Sequence, residues 1–290
     1  MKILIAYDGS KYANAALDDL QRAGLPCEAE AVVLCVAELW LPPLSSYEMI
    51  AGVEAPAPME RSEEALALAQ RAVDRMQTVF PAWRIQSEAH RGSPAGEILR
   101  KAEAWNPDLI VVGSHGLSAI ERLLLGSVSQ KVIHHAPCSV RVARGSVKEK
   151  GTPVRLVIGF DGSEDAQAAV REIASRAWPA NTEVRIVTAV GPLHPVKGAR
   201  ADLERPHARV VQQEAEARLS RAGLSVSSII EEIDPRHVIV NEAETWKADA
   251  IFVGTSGLGR LGRLILGSVS SAVAARAHCS VEVVRPREEV

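Results

Sequence analysis

Gly113-Ser-His-Gly116, nine residues, then Gly126-Ser127-Val128-Ser129 is the stretch that decides the fold, because it occurs twice. The second copy reads Gly254-Thr-Ser-Gly257, nine residues, Gly267-Ser268-Val269-Ser270. Between 113–129 and 254–270, 10 of 17 positions are identical, and all three glycines keep their spacing. Each copy follows a short apolar run, Asp108-Leu-Ile-Val-Val or Asp249-Ala-Ile-Phe-Val, that reads as a buried strand. Each opens a helical pattern, from Ser127 and from Ser268, with serine suited to the N-cap. A glycine turn between a strand and a helix presents bare backbone N–H groups and the positive end of a helix dipole, a natural seat for phosphate. Glycines that merely make tight turns would account for one copy; two copies with one spacing favour a retained site.

Outward from the first copy, the chain alternates strand and helix. Lys2-Ile-Leu-Ile-Ala-Tyr is a strand ended by Asp8-Gly9-Ser10, and Ser10 can cap a helix running to Gly24. Ala31 to Val36 is the next strand, followed by a proline-broken stretch from Leu39 to about Arg61 whose apolar tip could form a flap or an interface. A helix from Ser62 to Phe80, a strand from Trp83 to Ala89 and a helix from Pro94 to Trp105 precede the glycine stretch, and Ser139-Val-Arg-Val closes the half. The polar segment 145–153, with glycine at both ends and proline closing it, reads as a linker. The plan then restarts at Arg155-Leu-Val-Ile-Gly-Phe-Asp161-Gly-Ser163. This gives a first domain at 1–144 and a second at 154–290, with the second half shortened in the loop after its second strand. Such alternation predicts βαβ units on a parallel sheet, an α/β fold. Ligands of such sheets sit beyond the carboxyl ends of the strands, at the switch in strand order, which puts Asp8 beside Gly113.

The totals agree with two soluble domains. The 290 residues can bury two cores, and 47% hydrophobic with 24% charged residues is ordinary globular composition. A formal charge of −3 argues against general binding to nucleic acid or membrane. No apolar run reaches membrane-spanning length, the start turns polar too early for a signal peptide, and four cysteines without C-x-x-C pairing suit a reduced, cytoplasmic protein.

These residues resemble the universal stress protein family in its tandem two-domain form. The family's adenine-nucleotide-binding branch is marked by G-x2-G-x9-G-[S/T], which both halves fit without gaps, and the Asp-Gly-Ser opening and the Cys-Ser-Val closing strand agree. The resemblance implies a doubly wound, Rossmann-like domain with a five-stranded parallel sheet in each half, and ATP at the carboxyl ends of the first and fourth strands. Carried over, Asp8 meets the ribose, Val36 meets adenine through its backbone, and Gly113, His115, Gly116, Gly126, Ser127 and Val128 wrap the phosphates. The second-half matches are Asp161, Ala189, Gly254, Ser256, Gly257, Gly267, Ser268 and Val269. Mg²⁺ is expected to enter with the nucleotide. Single-domain relatives dimerise through the final strand, so the resemblance also implies that the halves pair as an internal pseudo-dimer, with a homodimer possible through other surfaces. Arg141 and Glu282 then meet across the axis as an exposed edge pair.

One departure stands out. Arg91-Gly92-Ser-Pro in the first half becomes Glu232-Ile233-Asp234-Pro in the second, losing a glycine and gaining a carboxylate. The expectation is two nucleotides per chain, the first-half site the tighter. Gly257-Leu-Gly259-Arg-Leu-Gly262 spells the dinucleotide fingerprint, but the equivalent first-half residues do not, so the duplication did not keep it. His134-His135 sits where a helix ends, which disfavours a metal role, and no metal or catalytic residue is assigned. No G-x-x-x-x-G-K-[ST] loop occurs. A regulatory ATP-binding module is therefore favoured over a slow ATP hydrolase or adenylyl-transfer enzyme on the same fold.

Overall fold

In a computed structural model of the chain, residues 1–38, 58–116, 125–144, 152–190, 201–257 and 266–286 are described. The proline-broken stretch at 39–57 and most of the segment read as a linker (145–151) lie outside them. The first half runs β1 (Lys2–Ala6), α1 (Lys11–Asp19) with a 3-10 turn at Leu20–Arg22, β2 (Glu30–Ala37), α2 (Pro58–Val79), β3 (Arg84–Arg91), α3 (Pro94–Trp105), β4 (Leu109–Gly113), α4 (Ser127–His135) and β5 (Ser139–Ala143). The second half repeats it as β6 (Arg155–Gly159), α5 (Glu164–Ser175), β7 (Glu183–Ala189), α6 (Ala201–Arg221), β8 (Ser225–Glu231), α7 (Pro235–Thr245), β9 (Ala250–Gly254), α8 (Ser268–Arg276) and β10 (Ser280–Val284). The shortening falls where the spacing placed it: β2 ends at Ala37 and α2 begins at Pro58, whereas β7 ends at Ala189 and α6 begins at Ala201.

The ten strands form one sheet in the order β3-β2-β1-β4-β5-β10-β9-β6-β7-β8. Pairing is parallel within each half, and β5 runs antiparallel to β10, with Arg141 opposite Glu282. In each half the strand order reverses beside the first strand, at β1/β4 and at β6/β9, so the ends of those pairs open a crevice.

Period-two alternation sends successive side chains of β5 and β10 to opposite faces. Val140, Val142, Val281 and Val283 join an apolar cluster that also holds Leu4 and Val157, so one core runs unbroken beneath both halves on the α3/α4/α7/α8 face. On the α1/α5 face two separate apolar clusters flank the centre. Between them lies an ionic chain. Arg141 donates to Asp19 (Nε–Oδ2 2.6 Å) and to Glu282 (3.2 Å), Glu282 also accepts from Arg176, and Arg176 reaches Glu172 at 3.0 Å.

The sequence expectation for this pair needs correcting. Arg141 is 1% exposed and Glu282 is fully buried, because α1 and α5 cover a strand pair that, read from either half alone, is an edge. The guanidinium of Arg141 is held charged by Asp19 and Glu282 against the desolvation that opposes it. The ends of the joint repeat one contact reciprocally. Arg144 N–H donates to Ser280 Oγ (3.0 Å) and its side chain to the carbonyl of Ala277 (2.8 Å), while Arg285 N–H donates to Ser139 Oγ (3.1 Å) and its side chain to Ile133 O (3.5 Å).

Candidate functional site

Both Asp-Gly-Ser turns form the same local structure. The Asp8 Oδ1 oxygen accepts the N–H of Ser10 (3.0 Å), and Ser10 Oγ accepts the N–H of Ala13 (3.1 Å), starting α1. Asp161 Oδ1 accepts from Ser163 N–H (3.0 Å), and Ser163 Oγ from Ala166 N–H (3.2 Å), starting α5. The turn passes through the left-handed region at Gly9 (φ +77°) and Gly162 (φ +81°), a position where any side chain would be strained.

Because β1 and β4 are parallel neighbours, this turn lies against the glycine stretch. The second carboxylate oxygen of Asp8, Oδ2, sits 2.9 Å from where a Cβ on Gly116 would be, and Oδ2 of Asp161 sits 2.5 Å from the corresponding point on Gly257. The loops close alike. Gly126 N–H donates to Ser114 O (2.8 Å) and Gly267 N–H to Thr255 O (2.7 Å), while the Ser129 and Ser270 hydroxyls hold the carbonyls of Gly113 (2.6 Å) and Gly254 (2.5 Å). The N-caps of α4 and α8 are Gly126 and Gly267, not the serines, and neither helix has a side-chain cap. Ser127 and Ser268 are already first helical residues. Among the described residues, the N-terminal N–H groups of α4 and α8 receive no side-chain acceptor from their caps, whereas α1 and α5 have Ser10 and Ser163 on the N–H of their third residues, Ala13 and Ala166. Val36 and Ala189 lie at the carboxyl ends of β2 and β7, one strand further from the crevice.

What stands against the loops differs between the halves. In the first, the His115 ring leans on Tyr12 (centroids 4.9 Å apart) with Nδ1 3.2 Å from Ser114 Oγ. A cavity of about 390 Å³ opens beside it, walled by Lys11, Tyr12, Ser114, His115, Arg144 and, from the second half, His278. Among the described residues no carboxylate belongs to its lining. In the second half the residues equivalent to Lys11 and Tyr12 are Glu164 and Asp165. Asp165 turns into the loop, where its Oδ2 accepts from Thr255 Oγ1 (2.5 Å), Ser256 N–H (2.8 Å) and Ser256 Oγ (2.6 Å). Sequence reasoning missed Asp165. Its signal was the fourth residue after each Asp-Gly-Ser aspartate, Tyr12 in one half and Asp165 in the other.

The profile of the universal stress protein family matches residues 1–144 and again 154–285. The chain belongs to the universal stress protein family. A universal stress protein of Mycolicibacterium smegmatis is 28% identical over 235 residues, covering 79% of this chain and 78% of its own length. One from Mycobacterium tuberculosis is 28% identical over 303 residues, covering 98% of this chain and 96% of its own length. The crystal structure of a universal stress protein from Archaeoglobus fulgidus aligns with a TM-score of 0.65 at 21% identity, covering 100% of this chain and 97% of that one, a likeness of fold.

In this universal stress protein the Gly92/Ile233 difference has a cause within the first half. Gly92 has φ +143°, and a Cβ there would meet the carboxylate of Glu97 at 2.9 Å. Glu97 is buried, with His90 Nδ1 at 3.1 Å and Arg100 also bonded to it. Val238 replaces Glu97 in the second half, and Ile233 is 56% exposed. The glycine thus makes room for Glu97. Asp234 is likewise occupied: it caps α7 through Arg236 N–H (2.8 Å), and bonds from the Arg236 guanidinium pull its pKa down to about 2. Two of the described tryptophans pack as follows. Trp83 is buried with its indole N–H on Pro26 O (3.0 Å), and Trp246 lies under the Arg185 guanidinium, 4.3 Å from the ring centre. Among the described residues no helix is long and apolar enough to cross a membrane.

Proposed function

We propose that this universal stress protein is a regulatory module of the stress response that binds an adenine nucleotide, ATP, in the crevice of its first half. The observation that carries this is the pairing of Asp8 Oδ2 with a bare Gly116 at the β1/β4 switch point, beneath a helix whose N-terminus has no side-chain cap. A carboxylate suits ribose hydroxyls, and uncapped N–H groups at a positive dipole end suit phosphate. In this reading Asp8 holds the ribose and the Val36 backbone meets the base. Gly113, His115, Gly116, Gly126, Ser127 and Val128 surround the phosphates, with Lys11 adding positive charge nearby. The second-half set (Asp161, Ala189, Gly254, Ser256, Gly257, Gly267, Ser268 and Val269) supplies the same backbone frame.

The carboxylates at the loop suit Mg²⁺ only as a companion of the nucleotide. Among the described residues no group of three or more His, Cys, Asp or Glu is placed to hold a metal, and Asp8 alone reaches the first loop, so Mg²⁺ would rely on phosphate oxygens and water. Binding without turnover is the favoured mode, since the loop offers positioning donors rather than a clamp built for a phosphoryl-transfer transition state. The two halves act as an internal pseudo-dimer, a reading supported by the antiparallel β5–β10 pair and the core shared beneath it. Four free cysteines suit a reducing, cytoplasmic setting.

The test is release of bound nucleotide. Full-length protein purified without added nucleotide, then denatured, is expected to yield adenine nucleotide by mass spectrometry. The Gly116→Val variant, which thrusts a side chain at Asp8, should lose it while keeping cooperative unfolding. Nucleotide retained at the first site by a folded Gly116→Val protein refutes the assignment.

A further inference from the structure

A single carboxylate oxygen, Oδ2 of Asp165, gathers three donors from the second glycine loop: Thr255 Oγ1, Ser256 N–H and Ser256 Oγ, all within 2.8 Å. That is the coordination a nonbridging phosphate oxygen would receive from such a loop. Asp165 is not reaching there by chance of rotamer. The first turn of α5 is pressed onto Gly254, where a Cβ would lie 2.6 Å from both the carbonyl carbon and the Cβ of Asp165, so the residue's backbone is fixed beside the loop. Asp165 also sits in the first turn of its own helix, where the dipole favours a negative charge. The first half repeats the packing without the anion: a Cβ on Gly113 would lie 3.0 Å from the backbone of Tyr12, whose side chain carries no carboxylate.

Around each position the charges match this division. The cavity beside His115, next to the first loop, has Lys11, His115, Arg144 and His278 in its wall. The equivalent second-half positions are Glu164, Ser256, Arg285 and Pro137. Two carboxylates, Asp161 against Gly257 and Asp165 against Ser256, already face the second loop. A nucleotide phosphate arriving there would meet like charge and would have to displace three charge-assisted hydrogen bonds.

The structure assigns Asp165 the role of a built-in anion that occupies the second glycine loop in place of nucleotide phosphate, leaving one open nucleotide site per chain. This rests on the nucleotide reading of the first half and revises the expectation of two bound nucleotides. The second motif is then a structural relic of the binding loop, kept closed by its own chain. Asp165 acts on specificity between the two loops and takes no part in holding the nucleotide.

The experiment is equilibrium dialysis of the full chain against Mg²⁺-ATP, comparing the native protein, Gly116→Val, Asp165→Ala and the double variant. The native chain is expected to take one nucleotide and Gly116→Val none. Adding Asp165→Ala to Gly116→Val should restore binding, with affinity at least about tenfold above Gly116→Val alone. Two nucleotides on the native chain, or no gain from Asp165→Ala in either background, overturns the proposal. Should Asp165→Ala fail to fold, Asp165→Asn, which keeps the shape and removes the charge, is expected to move affinity the same way by less. If no protein in the set binds nucleotide, the functional reading fails, and amide hydrogen exchange at Ser256 then decides the role of Asp165. Exchange about tenfold faster in Asp165→Ala supports the internal anion, and equal rates overturn it.

Discussion

The two glycine loops share their spacing, their closing hydrogen bonds and their place at a strand-order switch, yet they face different side chains. The first has Lys11, Tyr12 and His115 in the wall of a cavity beside it; the second holds the carboxylate of Asp165 against Thr255 and Ser256. The frame is common because packing alone demands it. A Cβ on Gly113 or Gly254 would strike the first turn of the neighbouring helix, at 3.0 and 2.6 Å, and one on Gly126 or Gly267 would crowd the carbonyl of Ser114 or Thr255, at 3.2 and 3.0 Å. These glycines are needed to build the loop whether or not anything binds. An intact motif in a duplicated chain therefore reports an intact backbone, while competence to bind is set by the side chains of the helix that leans on it.

The joint between the halves is where the comparison can be broken most severely. It too is asymmetric, with Arg141 on one side of the axis and Glu282 on the other. Removing either partner leaves a buried charge uncompensated, so Arg141→Ala or Glu282→Ala is expected to lower unfolding stability by about 3–5 kcal/mol, read by urea titration. A loss below about 1 kcal/mol, the level of an exposed pair, would contradict the buried network. Exchanging the two charges should not rescue the fold, because Asp19 would then face a carboxylate and Arg176 a guanidinium.

A smaller effect separates packing from binding at the glycines themselves. Gly254→Ala and Gly113→Ala are each expected to destabilise the nucleotide-free protein by about 1–3 kcal/mol, with Gly254→Ala the worse because its contact is shorter. Thermal unfolding without nucleotide measures this. If both variants match the parent, the glycines serve a ligand and the structural account of the second motif fails.

Much of this was legible in the chain. The strand–helix alternation, the duplication and the placing of Asp8 beside Gly113 follow from hydrophobic runs and turn residues, which are local signals. Arg141 and Glu282 were identifiable as opposed partners from the repeat. Their burial was not, since a final strand reads as an edge until α1 and α5 are seen to close over it. The reason for Gly92 was hidden in a similar way: the glycine answers to Glu97, five residues on, through a contact that exists only after the chain turns from β3 into α3. Asp165 was visible as a letter but silent as a role. Nothing local tells that the first turn of α5 will be pressed onto Gly254 and its carboxylate aimed into the loop.

The central claim, one open phosphate loop and one closed from within, is met most directly by native mass spectrometry of the full chain titrated with Mg²⁺-ATP. The mass is expected to rise by a single nucleotide and stay there as ATP increases. A second nucleotide bound with comparable affinity while Asp165 is intact would contradict it.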